Sequence, residues 1–204
     1  MKVGIDFDNT IVSYDKLFYQ IALEKKLIPP SLLPKKIVIR DYLRSVDKED
    51  FWTLMQGEVY GSRLNEANPY PYFFDFIKTA QRLDCQIFII SHKTKAPFLG
   101  PAFDLHKAAN EWIIKNMNLN GIKFDEKKGA FFEVTKEKKI DRIAQLECDV
   151  FIDDLPEILS VSSFPKNTKK ILFDPDKMHQ KISPEINNVS SWKAIQNLII
   201  NDLS

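Results

Sequence analysis

The chain is poor in cysteine: of its 204 residues only Cys85 and Cys148 carry a thiol. Neither stands in a C-x-x-C pair or beside histidine at metal-ligand spacing, which excludes a zinc finger or a thioredoxin-type redox motif. Both precede apolar runs, so buried free thiols are expected, and with them a reducing, cytoplasmic compartment. An excess charge of either sign is also missing. The 29 Lys+Arg against 28 Asp+Glu leave a net +1, which speaks against a dedicated nucleic-acid or membrane-surface partner. No stretch approaches the roughly 20 apolar residues of a membrane span. The acids Asp6 and Asp8 interrupt any secretory apolar core near the N-terminus. Internal repeats and low-complexity linkers are absent as well.

What remains is an ordinary globular composition, 44% hydrophobic and 28% charged. A chain of this length buries roughly 70% of its unfolded surface and needs neither disulfide nor structural metal to fold. Short apolar runs at 1–5, 86–90, 130–134, 149–152 and 170–173 read as buried strands. Segments with helical spacing at 72–83, 104–117, 137–146 and 190–203 lie between or after them. Strands alternating with helices imply an α/β fold, a doubly wound, Rossmann-like and mostly parallel sheet. The stretch between Tyr14 and Pro71 breaks this rhythm. It has helical patterns at 16–26, 39–43 and 50–54, no apolar β-run, the Pro29-Pro30 break, and aromatics including Phe18, Trp52 and Tyr60. It reads as a helical insertion at 13–71, with 1–12 and 72–204 forming the α/β core. Within it, Tyr14, Asp15, Gln56, Tyr60 and Arg63 are either pocket-lining or packing residues.

Unusual polar residues gather where the predicted strands end. The first strand runs into Asp6-Phe7-Asp8-Asn9-Thr10, the second into Ser91-His92-Lys93-Thr94, and the 149–152 run into Asp153-Asp154. In a parallel sheet these ends share one edge, where ligands bind in open α/β folds. Four carboxylates at one edge repel unless protonated or neutralised by a cation. Hard oxygen ligands with no matching His/Cys set select Mg²⁺ over zinc. Metal plus carboxylates suits phosphoryl transfer. Taken singly, the same residues have plainer readings. Asp6 and Asp8 could form a turn, Asp153 and Asp154 could cap the helix that opens at Pro156, and His92 could be a turn residue. Lys93 and Lys95 read as solvated charges, and the 136–139 lysines as a wet helix face.

The run DFDNT at 6–10 resembles motif I (DxDx[TV]) of the haloacid dehalogenase (HAD) superfamily. FIISHKT at 88–94 is similar to its motif II, and FIDD at 151–154 to its double-Asp motif IV. The order is the family's, and the insertion after motif I resembles its C1-type cap. The resemblance implies a phosphatase with Asp6 as nucleophile, forming an aspartyl phosphate, and Asp8 as acid and then base. It implies Mg²⁺ held by the Asp6 carboxylate, the Asp8 carbonyl and Asp154, with Asp153 orienting a water or the lysine. Ser91 is expected to bind a phosphoryl oxygen, with Thr10 supporting the motif I loop and His92 beside the phosphate site. The family also needs a lysine. Lys136 and Lys139 both lie one helical turn before apolar positions of the 137–146 helix, and Lys139 is preferred. The substrate implied is a small phosphorylated metabolite, a sugar phosphate, a polyol phosphate or a nucleotide. A phosphotransferase or phosphomutase, or a binding module on the same fold, is the alternative.

Overall fold

The computed structural model describes the chain apart from residue 181 and residue 204, and describes the side chains up to residue 200. It divides the chain into two compact units, one of Met1–Ile11, Pro69–Lys93 and Asn116–Ser204, the other of Val12–Asn68 and Thr94–Lys115.

The first unit holds six strands: β1 (Lys2–Ile5), β4 (Gln86–His92), β5 (Ala130–Glu133), β6 (Val150–Asp153), β7 (Lys169–Phe173) and β8 (Ile186–Val189). The short β2 (Val12–Ser13) and β3 (Asn68–Pro69) form a separate two-stranded sheet. The six run in the order β5-β4-β1-β6-β7-β8, and every neighbouring pair is parallel. Going outward from β1 the chain fills one side with β4 and β5, then crosses over to fill the other with β6, β7 and β8. The strand order therefore reverses between β1 and β6. Such a switch point opens a crevice beyond the carboxyl ends of the strands.

Side chains alternate across the strands, so each strand feeds two cores. On one face Ile90, Phe151 and Leu172 pack with Ile140 and Ile143 of α7 (Lys136–Gln145) and with Ile158 and Leu159 of α8 (Pro156–Leu159). Another core is aromatic: Trp192 of α9 (Trp192–Leu203) meets Phe73 of α4 (Phe73–Arg82) edge-on and lies tilted against Phe76 of α4 and Phe173 of β7, with ring centroids 4.9, 5.1 and 5.7 Å away. The indole N–H donates to the Thr10 carbonyl at 3.1 Å, so this buried polar handle is satisfied.

The predicted strands are all present, shifted by a residue or two; the two-residue β2 and β3 are additions, and so is β8. Its sequence, Ile186-Asn187-Asn188-Val189, has two asparagines of low β propensity. It pairs only with β7, at the sheet edge, where the partner supplies the ladder that the sequence does not advertise.

The second unit is helical, with α1 (Asp15–Glu24), α2 (Lys36–Ser45), α3 (Glu49–Gly57) and a π-helical turn at Glu58–Ser62. It also takes Thr94–Lys115, which contains most of α5 (Leu105–Leu119). Phe18 stacks on Trp52 at 4.6 Å and meets Tyr60 edge-on, while the Lys36 ammonium lies 5.6–5.9 Å above the rings of Tyr14, Phe18 and Tyr60. Asp15 accepts the Lys36 amide at 2.8 Å and the Lys35 ammonium at 3.0 Å. Arg63 ties Glu24 to Glu66, and the first of these carboxyls is held down at about 2 by that guanidinium.

Candidate active site

The three polar clusters converge at the switch point. The Asp6 amide donates to the Ile152 carbonyl at 2.9 Å, carrying the β1–β6 ladder one residue past the end of β1. That bond fixes Asp6 beside Asp153 and Asp154. On the other side, Ser91 Oγ donates to Asp6 Oδ1 at 2.9 Å. Ser91 and His92 stand within β4, paired with Phe132 and Glu133, rather than after its end as the apolar run suggested. Oxygens of Asp6, Asp153 and Asp154 lie within 4.8 Å of one another. This buried group of carboxylates is compatible with a metal site.

Between Asp6 and Asp153 sits Lys139, whose ammonium is 2.6 Å from Asp6 Oδ1 and 2.6 Å from Asp153 Oδ2. Lys139 is 1% exposed, and its ammonium lies 5.4 Å above the Phe151 ring. Thr135 caps α7 by accepting the Lys138 amide, so Lys139 stands at the end of the first turn, on the apolar face with Ile140 and Ile143. Helical side chains lean back toward the N-terminus, which brings this lysine to the sheet edge. Lys136, one turn earlier, leans past that edge and pairs instead with Glu157 at 3.4 Å, half exposed. The structure thus brings Lys139 into the carboxylate cluster and leaves Lys136 at the surface.

Asp153 is fully buried and has both oxygens engaged, one with Lys139 and one with the Leu155 amide at 2.9 Å. Asp154 is half-buried and accepts the Thr10 hydroxyl at 3.3 Å. Asn9 takes a left-handed φ of 57°, which a short polar side chain tolerates, and this turns the chain between Asp8 and Thr10. His92 is half-buried and stands at the end of β4, paired with Glu133 of β5.

Lys93 departs from its expected solvated state. It is 4% exposed, and its ammonium contacts both oxygens of Asp8 at 2.9 Å. Its amide also donates to the Glu133 carbonyl at 2.8 Å, extending the β4–β5 ladder and directing this side chain toward Asp8 in the loop after β1. The signal missed in the sequence was alternation: Ser91 and Lys93 are two apart in an extended segment and so share a face.

Burial pushes the Asp6 carboxyl up to about 7 against the pull of Lys139, with Asp153 and Asp8 adding to the rise. For Lys139, burial favours the neutral form, but the adjacent Asp153 and Asp6 carboxylates outweigh it and hold its pKa above the usual lysine range. The lysine is the fixed charge of the cluster. Two ammonium groups, Lys139 and Lys93, face the four carboxylates of Asp6, Asp8, Asp153 and Asp154. An all-oxygen donor set with surplus negative charge fits a hard divalent cation.

No protein-family model and no curated protein sequence matches the chain. Solved structures do. A HAD-superfamily hydrolase from Ehrlichia chaffeensis superposes with a TM-score of 0.58 at 12% identity, over 100% of this chain and 97% of that one. A haloacid dehalogenase-like family hydrolase from Xanthomonas campestris gives 0.52 at 8% identity, over 100% and 95%. Identities this low carry fold rather than activity. With its parallel sheet and its switch point between β1 and β6, this chain shares its fold with these HAD-superfamily hydrolases.

Proposed function

We propose that the protein is a Mg²⁺-dependent phosphomonoester hydrolase acting on a small phosphorylated metabolite. The observation that carries this reading is the buried Asp6, which shares one oxygen between the Ser91 hydroxyl and the Lys139 ammonium. A structural carboxylate gains nothing from a place at the mouth of a switch-point crevice. A nucleophile needs that place, with its other oxygen free of these two donors and its charge balanced by a fixed cation.

In this reading an Asp6 oxygen attacks phosphorus in line. The new P–O bond forms as the ester P–O bond breaks, and the Asp8 carboxyl gives its proton to the departing alcohol oxygen. The Asp8 carboxylate then takes a proton from water as that water attacks the aspartyl phosphate, and the electrons of the breaking bond return to Asp6. Ser91 and Lys139 hold Asp6 in place and offer donors to the phosphoryl oxygens. Mg²⁺ would be held by Asp6, the Asp8 carbonyl and Asp154, with Asp153 committed to Lys139, and it would offset charge on the phosphoryl group. We assign the helical unit the role of a C1-type cap that selects the leaving group.

The test is hydrolysis of p-nitrophenyl phosphate and of a panel of nucleotides, sugar phosphates and polyol phosphates, with and without chelator. Turnover that needs Mg²⁺ and falls at least about 10³-fold in Asp6→Asn is expected. Equal rates in Asp6→Asn and the unmodified chain would remove Asp6 as nucleophile. Product that appears only when an alcohol acceptor is supplied would identify a phosphotransferase.

A further inference from the structure

A lysine buried to 4% exposure beside a carboxylate whose side chain is 23% exposed asks for a reason. Asp8 has access to water and does not need a buried partner to stay solvated. Lys93, by contrast, has given up water and is fixed on several sides. Its ammonium contacts both Asp8 oxygens at 2.9 Å and lies 5.6 Å above the ring of Phe7. The Phe7 ring is itself fully buried and held edge-on by Phe132 at 5.8 Å. The backbone of Lys93 is locked to Glu133 by the extended ladder. Buried ion pairs bring little net stability, because desolvation offsets most of the attraction. They do fix geometry.

We propose that Lys93 is a positioning residue for Asp8: by contacting both carboxyl oxygens it sets the rotation of the carboxyl group that delivers a proton to the leaving oxygen and later receives one from water. The inference rests on the hydrolase reading above and deepens it. Lys139 serves the nucleophile and Lys93 serves the acid–base group, so the two aspartates of the motif I loop each have their own buried cation. A general acid works only within hydrogen-bond reach and alignment of the oxygen it protonates, and a displacement of about 1 Å costs on the order of 10²-fold. The benefit is largest for poor leaving groups. An alkoxide must be protonated as it departs, whereas a nitrophenolate leaves without help.

The experiment compares the unmodified chain, Lys93→Met, Asp8→Asn and the double variant on a series of aryl and alkyl phosphates of graded leaving-group pKa. Folding is checked by circular dichroism. In Lys93→Met, kcat is expected to fall about 10- to 100-fold with alkyl phosphates and less than about threefold with nitrophenyl phosphate, with KM little changed. The dependence of rate on leaving-group pKa should steepen. In the Asp8→Asn background, removing Lys93 should cost less than about threefold more on any substrate, since a residue acting through Asp8 has nothing left to act on. Equal losses across the series, or losses that multiply in the double variant, overturn the proposal. Should Lys93→Met not fold, Lys93→Arg decides. It keeps the charge but replaces a point contact with a planar fork, and it should steepen the same dependence to a smaller degree. An unchanged slope there also overturns it. Absence of turnover in the unmodified chain overturns the hydrolase reading itself, which is a different result.

Discussion

Lys139 spends one positive charge on two carboxylates, and both are buried. Replacing it with methionine keeps the stem and removes the charge, leaving Asp6 and Asp153 close together with no fixed cation. Stranding a buried charge in this way costs roughly 3–5 kcal/mol. Urea unfolding of Lys139→Met at pH 7 is expected to show a loss of that size, partly recovered by millimolar Mg²⁺. A loss under about 1 kcal/mol would mean that the cluster is solvated after all. Asp6 makes a second prediction. Its carboxyl is pushed up to about 7, so below that pH a proton occupies the position a cation needs. In the absence of metal this raised group favours the folded state at low pH, and that contribution fades as pH rises toward 7. Cation binding has the opposite sense. Apparent Mg²⁺ affinity measured by titration calorimetry should weaken by up to about tenfold per pH unit below 7, with proton release on binding. An affinity flat between pH 5.5 and 8 would show that Asp6 is ionised throughout. That Asp6 and Asp153 meet at one sheet edge was readable from the strand ends, and the helical spacing already pointed Lys139 toward that edge. Lys93 was not, because a lysine just past an apolar run looks the same whether its strand has ended or continues.

Strand β1 must pass between β4 and β6 at the point where the site is built. Gly4 is its centre, paired with Phe88 on one side and Phe151 on the other. A methyl group added at Gly4 would meet the Phe151 ring at 2.6 Å and Cys148 Sγ at 3.0 Å. Phe151 is also the ring beneath the Lys139 ammonium. Gly4→Ala is therefore expected to cost about 1–3 kcal/mol by overpacking. Activity should fall further than global stability alone explains, because a displaced Phe151 moves the floor under Lys139. Thermal unfolding together with kcat at 20 °C checks both, and a variant with lowered Tm and full kcat would separate the two effects. At this scale the sequence shows the strands whose residues are apolar on both faces, since β1, β4, β6 and β7 are buried by helices and neighbours alike. It does not show β8, whose strand character comes from pairing. Nor does it show that 94–115 belongs with the helical unit. The apolar face of α5, with Leu105, Ala109, Trp112 and Ile113 buried, announces a buried helix without naming what it is buried against.

Across the whole molecule the proposed chemistry is concentrated in the first unit, since Asp6, Asp8, Thr10, Ser91, Lys93, Lys139, Asp153 and Asp154 all belong to it. No helix among the described residues is long and apolar enough to cross a membrane. The residues proposed to hold the cation come from β1 and its loop and from the end of β6, elements more than 140 positions apart in the chain that lie side by side in the sheet. A ligand that joins such elements stabilises the state in which they are together, by an amount set by mass action. At a hundredfold excess over its dissociation constant this is about 2.7 kcal/mol. For a chain of about 200 residues each kcal/mol is worth roughly 2–4 °C, so saturating Mg²⁺ should raise the melting temperature by roughly 5–10 °C. Hydrogen exchange followed by mass spectrometry should place the added protection in β1, β4 and β6, with little change in peptides from α1 to α3. Asp154→Asn should remove most of the shift, while Glu157→Gln, which alters only the half-exposed partner of Lys136, should leave it intact. If protection rose equally in both units, or if Asp154→Asn kept the full shift, the cation would be binding somewhere other than the crevice between β1 and β6.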